Sequence, residues 1–276
     1  MKYRIQHILE YGVLRTVTAL INALPLRVAL GTAAGVARVA GLLAVGVLGM
    51  AAFLWHERRH PEPMLDLTLF RNPVFAGANL AALLNYLGQT CALFLLPQLL
   101  VGTFGYKEMQ TGLVMAALPA TVVVLAPLSG ALSDRVGSRL PAVIGAAIMA
   151  CGLAGLAIAA PLHQLPLLVA ALLVMGAGTG IFQSPNTSAI MGSVPRAHLG
   201  VGGGVVATMR NLGMSLGTAI AGAVAASHGA GVAVTSVTGV QAALFTGAGF
   251  VAVGAVTSAM RPNAPIATRP VLPAQD

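Results

Sequence analysis

Long apolar stretches separated by short charged segments dominate this chain. A helix that crosses a membrane needs about 20 consecutive, mostly apolar residues, so stretches of that order without Lys, Arg, Asp or Glu predict spans. Seven follow one another, the sixth interrupted once by Arg210: 39–55, 73–106, 110–133, 140–163, 164–195, 199–227 and 229–260. The pattern predicts an all-α integral membrane protein.

The same pattern divides the chain into five segments. They are a basic amphipathic segment (1–38), an isolated transmembrane helix (39–55), a cytoplasmic linker (56–72), a six-helix transmembrane bundle (73–260) and a cytoplasmic tail (261–276). In the first segment five Lys and Arg residues recur throughout, which favours helices lying at the membrane interface over a cleaved signal peptide. A hairpin or re-entrant segment over residues 28–55 is an alternative that the sequence leaves open.

Basic residues fall on alternate connections between the spans. The linker 56–72, the loop 134–139, the turn 191–198 and the tail contain eight Lys and Arg residues, whereas the other connections contain only Lys107. Basic residues favour the cytoplasmic side of a membrane. The sequence therefore predicts a multi-pass protein whose C-terminus is cytoplasmic.

Composition agrees with a membrane protein and excludes several other classes. Hydrophobic residues make up 57% of the chain and charged residues 8%, whereas a soluble domain has about 25% charged residues. The net charge of +8 is spread between apolar stretches, and aromatic residues are only 5%, which argues against nucleic-acid binding. Cys91 and Cys151 lie inside apolar stretches, which argues against a disulfide or a metal site. We expect no cofactor.

One connection carries a recognisable motif. The loop between the third and fourth predicted spans reads G-x-L-x-D-R-x-G-x-R, with Gly130, Asp134, Arg135, Gly137 and Arg139 at its defined positions. A charged turn at the membrane surface is one interpretation. The other is a gate, in which Asp134 pairs with an arginine and a helix end in one conformation and releases them in another.

This motif resembles the signature loop of the major facilitator superfamily. Further segments are similar to the fourteen-helix drug:proton antiporter branch and occur in the order expected there. They are the linker 56–75, Leu96-Pro97, the segment 105–112, Leu118-Pro119, Ala126-Pro127, Gly178-Thr-Gly180, Ser184-Pro185, the segment 194–200 and Arg210-Asn-Leu-Gly213. The resemblance covers about residues 39–260 and implies the C-terminal half of a transporter that exports hydrophobic or cationic compounds in exchange for protons.

Polar residues inside the spans are candidates for a substrate cavity. Arg210 is the only charge deep in a span, where a cation costs at least about 2.5–3.5 kcal/mol and usually faces a cavity or a partner; snorkelling towards the cytoplasm is the alternative. We expect Asn211, Gln183 and Asn186 to be its partners. Asn85 and Gln89 share a helical face because they are four residues apart, and their alternative role is interhelical hydrogen bonding.

Two pairs of glycines in the sixth span have G-x-x-x-G spacing. Gly200 pairs with Gly204, and Gly213 with Gly217. This spacing lets two helix backbones approach closely. We predict that both pairs are packing sites.

No acidic residue lies in the centre of a span: the seven are Glu10, Glu57, Glu62, Asp66, Glu108, Asp134 and Asp276. A proton-coupled exporter needs a protonatable group within the membrane. We therefore expect this chain to need a partner, either a separate N-terminal half or a second copy. The rival hypothesis is a non-transporting scaffold or regulatory subunit that docks on a complete transporter.

An enzyme is not predicted. The segments Tyr11–Arg15 and Leu24–Arg27 resemble the membrane anchor of lipid A-type acyltransferases, but no His here is followed by Asp at the H-x4-D spacing of those enzymes. No phosphate-binding G-x-x-x-x-G-K-[ST] motif occurs either, so ATP-driven transport is not supported.

Overall fold

The computed structural model describes residues 45–46, 48–49, 51–52, 55–56, 67–228 and 236–262, apart from the side chains of residues 67 and 197. The chain divides into two compact units, Met1–Leu65 and Asp66–Asp276. In the first unit the described residues are helical and exposed. The predicted segment 1–38, most of the helix 39–55 and of the linker, and the tail beyond residue 262 lie outside the described residues.

The second unit is helical wherever it is described, which confirms the predicted fold class. Its helices are α1 (Pro73–Gly102), α2 (Glu108–Met115), α3 (Ala117–Val136), α4 (Arg139–Ala159), α5 (Leu165–Gly192), α6 (Leu199–Ser227) and α7 (Val237–Met260). Short 3-10 turns occupy Leu67–Arg71, Ala160–Leu162 and Arg196–His198.

Five described segments are long and apolar enough to cross a membrane: Pro73–Gly102, Glu108–Val136, Arg139–Leu162, Leu165–Gly192 and Val237–Met260. The second of these joins α2 and α3. Helix α6 has 29 residues and is long enough, but Arg210, Asn211 and its glycines make it less apolar.

The third predicted span is broken near its start. Helix α2 ends at Met115 and α3 begins at Ala117. Pro119 has no N–H to donate to the carbonyl of Met115, and a proline ring clashes with the carbonyl four residues before it. Proline therefore interrupts the helix one turn ahead of its own position.

The helices form two layers. Helices α3, α5, α1 and α6 form a row in that order, because α5 packs against α3 and α1, and α1 packs against α6. Helices α4 and α7 pack together behind this row, α4 against α5 and α7 against α1. No described helix of this second unit covers the other side of the row, which we call the open face.

Glycines set the closest approaches between helices. A Cβ placed on Gly178 of α5 would lie 2.2 Å from the backbone nitrogen of Met149 in α4. A Cβ on Gly213 or Gly217 of α6 would lie 2.6 or 2.5 Å from a backbone oxygen of α1. These distances are too short for any side chain, so the backbones pack directly against each other.

Only one of the two G-x-x-x-G pairs is a packing site within the described residues. Gly213 and Gly217 contact α1, as predicted, whereas no described atom lies within 4 Å of a Cβ built on Gly200 or Gly204. The packing prediction for Gly200 and Gly204 is not met by any described helix.

Hydrogen bonds bring alternate connections together at one end of the bundle, which we call the basic end. The side chain of Asn72, before α1, donates to the carbonyl of Ser193, after α5. Arg139, at the start of α4, donates to the carbonyl of Ala259, in the last turn of α7. At the opposite end the rings of Phe104 and His163 lie 4.9 Å apart. The predicted grouping of the basic connections at one end agrees with this arrangement.

Candidate functional site

The open face contains a hydrogen bond between its two central helices. The amide nitrogen Nε2 of Gln183 in α5 donates to the hydroxyl oxygen of Tyr86 in α1 over 2.6 Å, and both side chains are half-buried. Gln183 was predicted as a cavity residue, but Tyr86 was not. A tyrosine inside an apolar span carries a polar group that needs a partner, and this signal could have identified Tyr86.

Exposed apolar side chains lie on the same two helices, two to three turns from this pair towards the end opposite the basic end. Leu93 and Phe94 of α1 and Leu173 and Val174 of α5 are each about two fifths exposed. Helices α1 and α5 have neighbours on both sides in the row and a helix behind each, so large exposed residues on them mark an uncovered side. The open face is therefore an apolar surface with a polar centre.

Asn85 and Gln89 lie next to Tyr86 along α1. Asn85 is buried, and its side-chain nitrogen Nδ2 has no hydrogen-bond partner among the described residues. Gln89 is half-buried. A buried amide without a partner costs about 1–3 kcal/mol, so Asn85 is a group that a ligand or another chain could stabilise.

Arg210 and Asn211 are exposed on α6. Arg210 forms no hydrogen bond or ion pair with any described residue. Its expected partners are engaged elsewhere: Gln183 bonds to Tyr86, and Asn186 bonds to Arg261 over 2.8 Å. Among the described residues neither of them bonds to Arg210, because Gln183 binds Tyr86 on the open face and Asn186 binds Arg261 inside the bundle.

The C-terminal side of the signature loop is fixed to the end of α7. Gly137 ends α3 with a φ of 83°, as expected for a tight turn. Arg139 is bound to the end of α7. Asp134 and Arg135 are exposed and pair with no described residue, so the ion pair expected for a closed gate is not formed within this part of the chain.

The helix before the loop packs tightly against α5. A Cβ on Gly130 would lie 2.8 Å from the hydroxyl of Ser184, and the hydroxyl of Ser129 donates to the carbonyl of Gly180 over 2.9 Å. The first residue of the motif is therefore a packing position. Gly130 couples the loop to the helix that carries Gln183.

Comparison with known proteins decides the family. The family profile of the Major Facilitator Superfamily matches residues 16–218 and 78–275 in two overlapping matches. The chain belongs to the major facilitator superfamily. The first match begins at residue 16, so the family likeness extends further towards the start of the chain than the motifs indicated.

Relatives in this superfamily include named transporters and resistance proteins. A riboflavin transporter of Clostridioides difficile (strain 630) is 35% identical over 64% of this chain and 40% of its own length. A multidrug resistance protein of Mycobacterium tuberculosis (strain CDC 1551 / Oshkosh) is 32% identical over 67% of this chain and 34% of its own length. A tetracenomycin C resistance and export protein of Streptomyces glaucescens is 30% identical over 69% of this chain and 36% of its own length.

This chain spans only about a third to two fifths of the length of these relatives. As a member of the major facilitator superfamily it is a multi-pass membrane protein of transporter type. No group of three or more His, Cys, Asp or Glu side chains that could hold a metal ion occurs among the described residues.

Proposed function

We propose that this chain is the C-terminal half of an exporter of hydrophobic compounds in the fourteen-helix branch. It forms one wall of the transport pathway and depends on a complementary half for activity. The observation that carries the proposal is the open face, where α1 and α5 present the Tyr86–Gln183 pair within an apolar surface. In superfamily transporters the substrate lies near the membrane midplane, between two such bundles.

The chemistry of the open face suits an apolar substrate with hydrogen-bonding groups. Leu93, Phe94 and Tyr86 supply apolar and aromatic surface, while the amides of Gln183 and Gln89 supply neutral donors and acceptors. Arg210 carries a positive charge. A cationic substrate therefore requires a carboxylate from the complementary half. The names of the resistance and export relatives support the drug-export assignment.

Proton coupling is proposed to involve the complementary half. No acidic side chain of this chain falls within the centre of a predicted span. A carboxylate inside the membrane can change its charge as access alternates, and in this proposal the complementary half provides it. In this proposal the chain supplies one wall of the transport pathway, and its partner supplies the carboxylate that couples transport to protons.

A dye-efflux assay tests the proposal. In pump-deficient bacteria we expect no proton-gradient-dependent efflux of a fluorescent hydrophobic dye from this chain alone, and restored efflux when an N-terminal half from a relative is co-expressed. Arg210→Ala should slow the restored efflux about tenfold, since a hydrogen bond to a charged group contributes about 1.5–3 kcal/mol. Thr208→Ala is the matched control, because Thr208 is also exposed on α6 and bonds only to its own helix.

Efflux by the chain alone would contradict the need for a complementary half and point to a working second copy. Equal efflux rates for Arg210→Ala and Thr208→Ala would contradict a role for Arg210 in transport. If the chain instead purifies with a complete transporter and no half restores efflux, the scaffold hypothesis replaces this one.

We also propose that the protein lies in the bacterial inner membrane with its basic end in the cytoplasm, as the positive-inside rule predicts. In a chain without Cys91 and Cys151, a membrane-impermeant maleimide should label Gln164→Cys in intact cells and Arg196→Cys only after permeabilisation. Both positions are exposed and lie in opposite connections. The reverse labelling pattern would invert the orientation.

A further inference from the structure

Arg261 is a buried cation whose partners among the described residues are neutral. It is 3% exposed. Its Nη1 donates to Oδ1 of Asn186 over 2.8 Å, and its Nη2 donates to the carbonyl of Ser138 over 3.1 Å. Burial, and then the nearby charge of Arg139, lowers the pKa of Arg261 to about 10, so the guanidinium stays protonated at neutral pH.

The start of α4 and the end of α7 are joined by two reciprocal hydrogen bonds, each donated by an arginine of one segment to a backbone carbonyl of the other. Arg261 follows α7 and donates to the carbonyl of Ser138, while Arg139, the next residue after Ser138, donates to the carbonyl of Ala259 in α7. The last carbonyls of a helix have no partner within it and favour a cation. We call Ser138, Arg139, Asn186, Ala259 and Arg261 the arginine clasp.

The clasp reaches a fourth element through Asn186. Its Nδ2 donates to the carbonyl of Ala78 in α1 over 3.0 Å, while its Oδ1 accepts from Arg261. Asn186 is 2% exposed. Because a guanidinium is a planar fork, it can reach Asn186 and Ser138 at once in fixed geometry, which a lysine ammonium cannot reproduce.

The signature loop thus has two unlike sides. After Gly137, Ser138 accepts a hydrogen bond from Arg261, and Arg139 donates one to Ala259. Before Gly137, Asp134 and Arg135 are exposed and pair with no described residue. The position of the turn is fixed, while its charged pair is available to a partner.

We infer that Arg261 is the positioning residue of the signature loop. It holds Ser138 and Arg139 against α5 and α7, so that movement of the loop is confined to the side of Asp134 and Arg135. This inference concerns the loop alone and does not depend on which compound is transported or on whether the chain is active.

Distance measurements between paired spin labels test the inference. In a chain without Cys91 and Cys151, one pair is placed at Leu140→Cys and Ser188→Cys, beside the clasp, and a control pair at Glu108→Cys and Gln164→Cys. All four positions are exposed. Arg261→Gln should shift and broaden the distance distribution of the first pair and leave the control pair unchanged. Arg261→Lys should resemble Arg261→Gln.

Three results would overturn the inference. They are an unchanged first pair in Arg261→Gln, full restoration by Arg261→Lys, and equal broadening of both pairs, which would indicate general loosening. If Arg261→Gln does not fold, the acceptor is varied instead. Asn186→Asp keeps an oxygen for Arg261 and should preserve the distance distribution of the first pair, whereas Asn186→Leu should broaden it. Identical distance distributions for these two variants would also contradict the inference.

Discussion

Asn186→Leu is expected to destabilise the bundle more than any other single polar substitution in α5. Leucine has a similar volume but leaves a buried guanidinium N–H of Arg261 and the carbonyl of Ala78 without their bonds. A hydrogen bond to a charged group contributes about 1.5–3 kcal/mol, and an unsatisfied buried group adds its own desolvation cost. Thermal unfolding in detergent, followed by circular dichroism, measures the loss.

Gln183→Leu is the matched control for this prediction. It lies three residues away in the same helix, and its bond to Tyr86 joins two neutral, half-buried groups, which is worth about 0.5–1.5 kcal/mol. The double variant Asn186→Leu, Arg261→Met should recover part of the loss, because removing both partners leaves no buried charge without an acceptor. Equal midpoints for Asn186→Leu and Gln183→Leu would contradict the prediction.

Gly178→Ala is expected to push α4 and α5 apart. Its new Cβ would lie 2.2 Å from the backbone nitrogen of Met149, and a backbone atom cannot rotate away as a side chain can. Overpacking of this kind costs about 1–3 kcal/mol or more, which exceeds the gain of about 1 kcal/mol from placing alanine in a helix. A lower unfolding temperature and a smaller yield of monodisperse protein are the expected readouts.

Gly204→Ala separates the steric effect from helix propensity. Gly204 also lies inside a helix, but no described atom comes within 4 Å of its Cβ position. This variant should therefore be neutral or gain up to about 1 kcal/mol. The steric account fails if both variants change stability by the same amount and in the same direction.

The sequence could predict the fold class because length and hydropathy are properties of single segments. Apolar stretches and the distribution of basic residues identified the spans and the connections that meet at one end. Contacts between helices were harder to predict. Gly200 and Gly213 have the same spacing to a second glycine, and only the tertiary arrangement distinguishes the one that packs from the one that does not.

The candidate site was predictable in part. Gly137 could be assigned a positive φ because few residues other than glycine tolerate one. Arg261 was assigned to the tail because it follows the last apolar residue, and nothing in the local pattern shows that its side chain turns back into the bundle. Asn186 was assigned to a cavity on polarity alone. Polarity does not reveal whether its side chain binds Arg210, as expected, or Arg261, as observed.

The packing of α6 on α1 has a consequence for how the protein is made. Helix α6 is long but is not among the five segments apolar enough to cross a membrane, and its glycines at 213 and 217 lie directly against the backbone of α1. During synthesis α1 leaves the ribosome more than a hundred residues earlier than α6. We therefore expect α1 to be in the bilayer before α6 arrives, so that α6 enters the membrane by docking on α1 and does not have to partition into lipid on its own.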